Sequence, residues 1–292
     1  MSVDASSTVI GFIGSGVMGR SMAANLMKSG YTVHVYSRTK SKADSLISAG
    51  AVWKESPALV AQGADLIITI VGYPADVEEV YFGDDGIIAT AKAGSYLIDM
   101  TTSSPELAQR IAAAATKRGL HALDAPVSGG DIGAREARLS IMVGGERKSF
   151  EQVLPVFNAM GKNIVYQGPA GSGQHTKMCN QIAIAAGMLG VCEAIAYARK
   201  SGLDPTTVLS SIESGAAGSW SLSNLGPRII AGNFAPGFYV KHFIKDMTIA
   251  STSADSLELE TPGLDLAKRM YEKLAAQGGE DFGTQALFKL YE

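Results

Sequence analysis

Lysine, asparagine and glutamine occupy positions 177, 180 and 181 in TKMCNQ, and a Ser-Gly-Gly run occupies 128–130 in DAPVSGG. On a helix, the i, i+3, i+4 spacing puts Lys177, Asn180 and Gln181 on one face. An amine so placed can pass a proton to or from a reacting oxygen, and Asn180 can orient either the lysine or a substrate. Ser128 supplies a hydroxyl, while Gly129 and Gly130 supply amides that no side chain obstructs. Together they can hold a carboxylate by several hydrogen bonds. Read alone, each group also has a plainer meaning, Lys177 as a surface lysine and DAPVSGG as an ordinary turn. His175 competes for the proton-transfer role, since histidine has a pKa near 6.5, but two positions from Lys177 it should point to a different face. The four histidines and the two cysteines, Cys179 and Cys192, lack zinc-ligand spacing, so no catalytic metal is expected.

A second chemical signal is GSGVMG, which stands between an apolar segment and a helical one. Gly14 permits a tight turn, Gly16 lets a pyrophosphate approach the backbone, and Gly19 lets the helix pack on the sheet. The amides at the helix start, around Val17 and Met18, can then receive phosphates. The end of the next strand reads Tyr36, Ser37, Arg38, Thr39, without the Asp or Glu that commonly binds the ribose of NAD. Ser37 carries no charge to repel a ribose phosphate, Arg38 offers a rigid donor fork, and Thr39 and Lys42 add donors. This favours NADP(H); an ordinary NAD(H) site with Arg38 as a solvated charge is the alternative.

The elements that must carry these groups follow from periodicity. Strands are predicted over 8–14, 31–37, 64–71, 95–100, 121–127 and 137–144, with helices over 18–30, 42–50 and 105–117 between them. Such alternation implies α/β architecture: a Rossmann-type, mostly parallel sheet covered on both faces. After Val165 the pattern changes. A turn-rich junction over 166–173 leads into a helix over 174–201, about 42 Å long at 1.5 Å per residue. Further helices are expected over 205–213, 245–256 and 262–276. The reading is therefore a dinucleotide-binding domain over 1–168, then an all-helical domain over 169–292 that includes the connecting helix. Ala183, Ala185, Ala186, Gly187, Gly190 and Ala194 would let another helix approach closely. Lys245 and Asp246 could close on the cofactor from the helical part, or simply be the solvated charges of a helix start. Trp220 could wall a substrate pocket, although its local sequence suits a core position better.

Composition narrows the function. The chain has 292 residues, 46% hydrophobic and 18% charged, which is ample for two cores and leaves little reason for disorder. A formal charge of −3 gives no general electrostatic reason to bind nucleic acid. The start MSVDASS is short and polar, and the uncharged stretch 178–192 is too short to span a bilayer, so neither a signal peptide nor a membrane segment is expected. Two thirteen-residue-separated cysteines on one helix cannot bridge, which suggests free thiols and a cytoplasmic location.

In joint order and spacing, GFIGSGVMGRSMAANL at 11–26, DAPVSGG at 124–130, GSGQHTKMCNQ at 171–181 and Lys245-Asp246 resemble the β-hydroxyacid dehydrogenase family over nearly the whole chain. That family includes 3-hydroxyisobutyrate dehydrogenases and the tartronate, glyoxylate and succinic semialdehyde reductases. The resemblance implies that Gly14, Gly16 and Gly19 contact the cofactor and that Ser128, Gly129 and Gly130 contact the substrate. It makes Lys177 the catalytic acid or base with Asn180 assisting, brings Lys245 to cofactor and substrate, and sets Thr102 on the nicotinamide side. It also implies a homodimer or homotetramer built through the helical domain. Ser37 followed by Arg38 looks like the NADP-preferring branch. VGYP from Val71 stands where the family more usually begins a loop with Leu-Pro. Gln181 stands where many hydroxyisobutyrate enzymes carry a second Asn, which looks closer to tartronate semialdehyde reductases. The expected reaction is reversible hydride transfer on a small carboxylate-bearing aldehyde or hydroxy acid, most simply NADPH-dependent reduction of a semialdehyde acid. NAD-dependent oxidation of a 3-hydroxyisobutyrate-type acid and a non-catalytic nucleotide-responsive module are the competing readings.

Overall fold

The computed structural model describes residues 3–292, so the first two residues of the MSVDASS start lie outside it. Two compact units divide at Lys177, the second beginning with Met178.

The first unit opens with β1 (Val9–Ile13), α1 (Val17–Lys28) and β2 (Thr32–Tyr36), followed by a short α2 (Asp44–Ser48) and β3 (Val52–Trp53). Then come α3 (Pro57–Gly63), β4 (Leu66–Thr69), α4 (Pro74–Phe82), α5 (Ile87–Thr90), β5 (Tyr96–Asp99) and α6 (Pro105–Lys117). It continues with β6 (His121–Asp124), β7 (Val127–Ser128), α7 (Gly130–Arg135), β8 (Leu139–Gly145), α8 (Arg147–Asn158) and β9 (Gly161–Gly168). Strands β3-β2-β1-β4-β5-β6 are parallel neighbours in that order. β8 runs antiparallel to β6 and β7, and β9 pairs parallel with β8.

Alternate strand residues feed two cores. Ile10, Phe12, Leu66, Ile68 and Ile98 pack on one face with Met22 and Leu26 of α1. Ile13, Ile67 and Leu97 pack on the other with Val60, Tyr81, Leu107 and Ile111. Both faces are thus covered, as near-continuous apolar strands require.

Several boundaries differ from the sequence expectation for local reasons. The predicted strand over 121–127 is two strands, because Pro126 lacks the N–H a ladder needs and separates β6 from β7. The predicted helix over 42–50 is a 3₁₀ turn at Lys40–Ala43 followed by α2. The junction predicted from Tyr166 begins later, since β9 continues to Gly168; its exposed Lys162 and Asn163 hide the strand period.

The second unit is built on α9 (Ser172–Lys200), which starts in the first, with α10 (Pro205–Ile212), α11 (Trp220–Ile230), α12 (Val240–Ser256) and α13 (Pro262–Leu274), and ends in a 3₁₀ segment at Thr284–Tyr291. By length and composition α9 would also suit a membrane span. Here its Met188, Leu189, Val191, Cys192 and Ile195 join Leu225, Phe243, Met247, Tyr271 and Leu287 in the helical core. α11 was not expected, because Gly226 and Pro227 interrupt its apolar period; its start is capped by the Ser219 hydroxyl, which accepts the Leu222 N–H at 3.0 Å. α12 begins at Val240, one turn earlier than predicted, so Lys245 and Asp246 lie inside the helix. Their side chains are 11% and 3% exposed, which overturns the alternative of a solvated helix start.

Two carboxylates are buried where β5 and β6 end, Asp99 beside Asp124 in register. Thr69 Oγ1 and the Thr101 N–H both donate to Asp99 Oδ1, at 2.9 and 3.1 Å. Burial outweighs these bonds and pushes Asp99 from 3.8 up to about 6. An acid with a raised folded-state pKa holds its proton better when folded, so its stabilising contribution is present below about pH 4 and lost as pH rises through about 6. Asp99→Asn keeps the accepting Oδ1 and removes the charge. Relative to the variant, the wild-type chain should lose up to ~3 kcal/mol of stability between pH 4 and 7, at ~1.4 kcal/mol per unit. Urea unfolding at both pH values measures this; parallel pH profiles for the two proteins would contradict it.

Candidate active site

The glycine loop between β1 and α1 divides its labour. Gly14 sits at φ +105°, and a Cβ there would lie 2.1 Å from the Ile70 carbonyl oxygen. A Cβ on Gly19 would lie 1.9 Å from the Gly14 oxygen, so this glycine lets α1 seat against the turn. Gly16, by contrast, has nothing within 4 Å of that position. The room above it, and the absence of an acidic residue from the first turn of α1, suit a phosphate approaching the amides around Val17 and Met18. Ser15 adds a buried hydroxyl with no hydrogen-bond partner among the described residues. An open cradle and an orphaned polar atom together fit a dinucleotide.

At the end of β2, Ser37 is half-buried, and Arg38, Thr39 and Lys42 are exposed. Arg38 Nη1 pairs with Asp76 Oδ1 at 2.9 Å, with 72% of the arginine side chain still exposed. Asp76, in the first turn of α4, also accepts the Tyr73 N–H at 3.0 Å. The sequence reading passed over Asp76. Its signal was its place three residues beyond Tyr73, at the start of a helix opened by Pro74.

The loops that follow β4 and β5 are tied together, since the Val71 N–H donates to Thr101 Oγ1 at 3.0 Å. Thr102, half-buried, lies between the fixed Thr101 and Ser103. After β6, the chain enters β7 and turns at Gly129 and Gly130, with φ +132° and +64°. Such angles favour glycine. Lys177 Nζ donates to the Val127 carbonyl at 2.9 Å, immediately before Ser128. The residue is 7% exposed, which overturns the surface-lysine alternative and brings the predicted amine to the predicted carboxylate loop.

In the helical unit, Asn180 Nδ2 donates to Gln181 Oε1 at 2.7 Å, and Gln181 Nε2 donates to Asp246 Oδ2. Lys245 Nζ lies 2.9 Å from Asp246 Oδ1. Gln181 and Asp246, fully and almost fully buried, stand behind Asn180 and Lys245 and orient them. Burial first, then the nearby Lys245 charge, push the His242 pKa down. Trp220 is 60% exposed as the first residue of α11, which corrects the core placement its sequence suggested. Among the described residues, no group of three His, Cys, Asp or Glu side chains is placed to hold a metal.

Residues 9–168 match the family model for the NAD binding domain of 6-phosphogluconate dehydrogenase, and residues 171–291 match the NAD-binding domain of NADP-dependent 3-hydroxyisobutyrate dehydrogenase. An uncharacterized oxidoreductase of Bacillus subtilis is 65% identical over 97% of this chain and 98% of its own length. The 2-hydroxy-3-oxopropionate reductase of Escherichia coli is 40% identical over 97% of each chain. The chain belongs to the β-hydroxyacid dehydrogenase family. Its fold matches that of Mycobacterium tuberculosis 3-hydroxyisobutyrate dehydrogenase, solved with L-serine, at a TM-score of 0.89 and 29% identity over 97% of this chain and 98% of that one. As a β-hydroxyacid dehydrogenase it is an NAD(P)-binding oxidoreductase acting on the hydroxyl group of small hydroxy acids or on the matching semialdehydes.

The glycines separate folding from binding. Gly19→Ala should lower unfolding free energy by about 1–3 kcal/mol through overpacking. Gly16→Ala should change it by less than about 1 kcal/mol, yet weaken dinucleotide affinity at least about tenfold, or ~1.4 kcal/mol. Urea unfolding and nicotinamide fluorescence titration read the two effects. Unaltered affinity in Gly16→Ala would remove the phosphate from this loop.

Proposed function

We propose that this β-hydroxyacid dehydrogenase reduces short semialdehyde acids with NADPH, reversibly, with Lys177 as proton donor and acceptor. The observation that carries the reading is the Lys177 amine held 2.9 Å from the Val127 carbonyl, next to Ser128. When bound, the nicotinamide would supply or accept the hydride. Ser128 and the amides of Gly129 and Gly130 hold the substrate carboxylate, which fixes the distance of the reacting carbon. In reduction the Lys177 ammonium donates a proton to the carbonyl oxygen; in oxidation the neutral amine takes it back. Val127 fixes one N–H direction of that amine, and Asn180, one turn further along α9, shares its face. Lys245, oriented by Asp246 and, through it, Gln181, would be a further substrate and cofactor contact. Thr102 and Val71 would border the nicotinamide, while Gly14, Gly16, Val17, Met18 and Gly19 would hold the pyrophosphate. Trp220, exposed rather than part of a core, would be a further substrate contact.

For the cofactor, Arg38, Ser37, Thr39 and Lys42 present donors and no carboxylate at the end of β2, which favours a ribose phosphate. The Arg38–Asp76 pair supports the second reading, NAD-dependent oxidation of a hydroxy acid, because the carboxylate offsets part of the guanidinium charge.

Loss of NADPH absorbance across glyoxylate, tartronate semialdehyde and succinic semialdehyde tests the reaction. Lys177→Ala should lower kcat by about 10²–10⁴-fold and leave NADPH affinity near wild type; full turnover by the variant would sink the assignment. Arg38→Ala should lower the NADP-to-NAD ratio of kcat/KM about tenfold or more, the size of one charge-assisted phosphate contact. A ratio that stays put, or favours NAD in the wild type, selects the second reading.

A further inference from the structure

Asp124 closes β6, and its carboxylate caps the entry to α9. Oδ1 accepts the Gly171 N–H and Oδ2 the Gln174 N–H, each at 2.8 Å. The residue is 3% exposed. Its room is fixed by glycines, since a Cβ on Gly144 would lie 2.5 Å from Oδ1 and one on Gly173 2.8 Å from Oδ2.

Gln174, fully buried, extends the connection to a third loop. Its Oε1 accepts the Ser103 N–H at 3.0 Å, and its Nε2 donates to the Thr101 carbonyl at 2.7 Å. One amide therefore grips the backbone on both sides of Thr102. Lys177 follows Gln174 by three residues on the same helix, and its Nζ bonds to Val127, three residues beyond Asp124. The chain from Asp124 to Val127 and the helix from Gln174 to Lys177 thus close into a ring of buried polar contacts. Thr102, Ser128 and Lys177 all hang from that ring. Buried polar groups in such a network have little freedom, because any shift leaves a desolvated partner unsatisfied.

We propose that Gln174, anchored by Asp124, is a positioning residue that holds the Thr102 loop in register with the Lys177 amine. This rests on the reading that Lys177 exchanges the proton. Gln174 touches neither the substrate nor the amine; it acts by setting where the backbone of residues 101–103 stands relative to the first turn of α9.

The full-length chain, assayed with NADPH and its best aldehyde acid, tests this through three variants. Gln174→Met keeps the bulk and removes both grips. It should lower kcat by about 10–100-fold, the penalty of a displacement near 1 Å, with KM and NADPH affinity within about threefold of wild type. Gln174→Glu supplies the control against misfolding. Protonated, it accepts from Ser103 and donates to Thr101 as glutamine does; ionised, it sets an anion against the Thr101 carbonyl. Its kcat should therefore approach wild type near pH 5 and fall about tenfold or more relative to wild type by pH 8, while NADPH affinity stays flat. A Gln174→Glu profile that tracks wild type at both pH values overturns the inference. So does a Gln174→Met variant whose cofactor affinity falls in step with kcat, which would make Gln174 part of cofactor retention. Lys177→Ala, run in parallel, separates the layers. If it is inactive while Gln174→Glu tracks wild type, only the positioning role falls; if it retains turnover, the underlying reading falls and takes this one with it.

Discussion

Lys177 is 7% exposed, and its Nζ donates to the Val127 carbonyl at 2.9 Å. An amine removed from water to that degree must find polar partners or surrender its charge. Much of the first unit's buried polarity lies in the same region, at the ends of β5 and β6. Asp99 and Asp124 are paired there in register; Asp99 accepts the Thr101 N–H of the loop that follows it, and Asp124 accepts the Gly171 and Gln174 N–H groups at the start of α9. These bonds fix the loops from which the reactive groups project. The carboxylates are strained in their ionisation, since burial raises both, and this is the thermodynamic penalty of holding a polar site rigid.

The strand order explains why the site forms at that edge. With β3-β2-β1-β4-β5-β6 all parallel, every carboxyl end points the same way, and the loops after β1, β4, β5 and β6 emerge together. The glycine loop, Val71 and Thr102 lie on the first three of those loops, and the fourth leads directly into β7, which ends at Ser128. What this chain adds is a helix that begins within the same unit, so that its first turn brings Gln174 and Lys177 to the strand ends while the rest of its length supplies the core of the helical unit.

Much of this was legible in the residues, and the parts that were not share a cause. GSGVMG between an apolar run and an amphipathic one carries much of its meaning locally, because Gly14 turns at φ +105° and Gly19 is required by the Gly14 oxygen five residues earlier. The spacing of Lys177, Asn180 and Gln181 likewise follows from helix geometry alone. Gln174 could not be read this way. In sequence it is one polar residue at the start of a helix, and only the tertiary structure brings residues 101–103, more than seventy positions earlier, against its amide. Asp76 was missed for the same reason, its partner Arg38 being 38 positions away. β9 and α11 were obscured by local conflict, exposed polar residues in the strand and Gly226-Pro227 in the helix, which packing overrode.

The two halves of the chemistry therefore stand under different constraints. The groups that would discriminate a ribose phosphate are exposed, and the Arg38–Asp76 pair, 72% exposed on the arginine side, contributes about 0–1 kcal/mol to stability. Substitutions there would alter the charge at the end of β2 with little effect on folding. The geometry of the proposed proton transfer has no such freedom. Asp124, Gln174 and Lys177 are all buried, and removing one partner strands the others at about 1–3 kcal/mol apiece. In the proposed mechanism a working amine and a folded sheet edge depend on the same bonds, whereas the groups at the ribose end carry little of the fold.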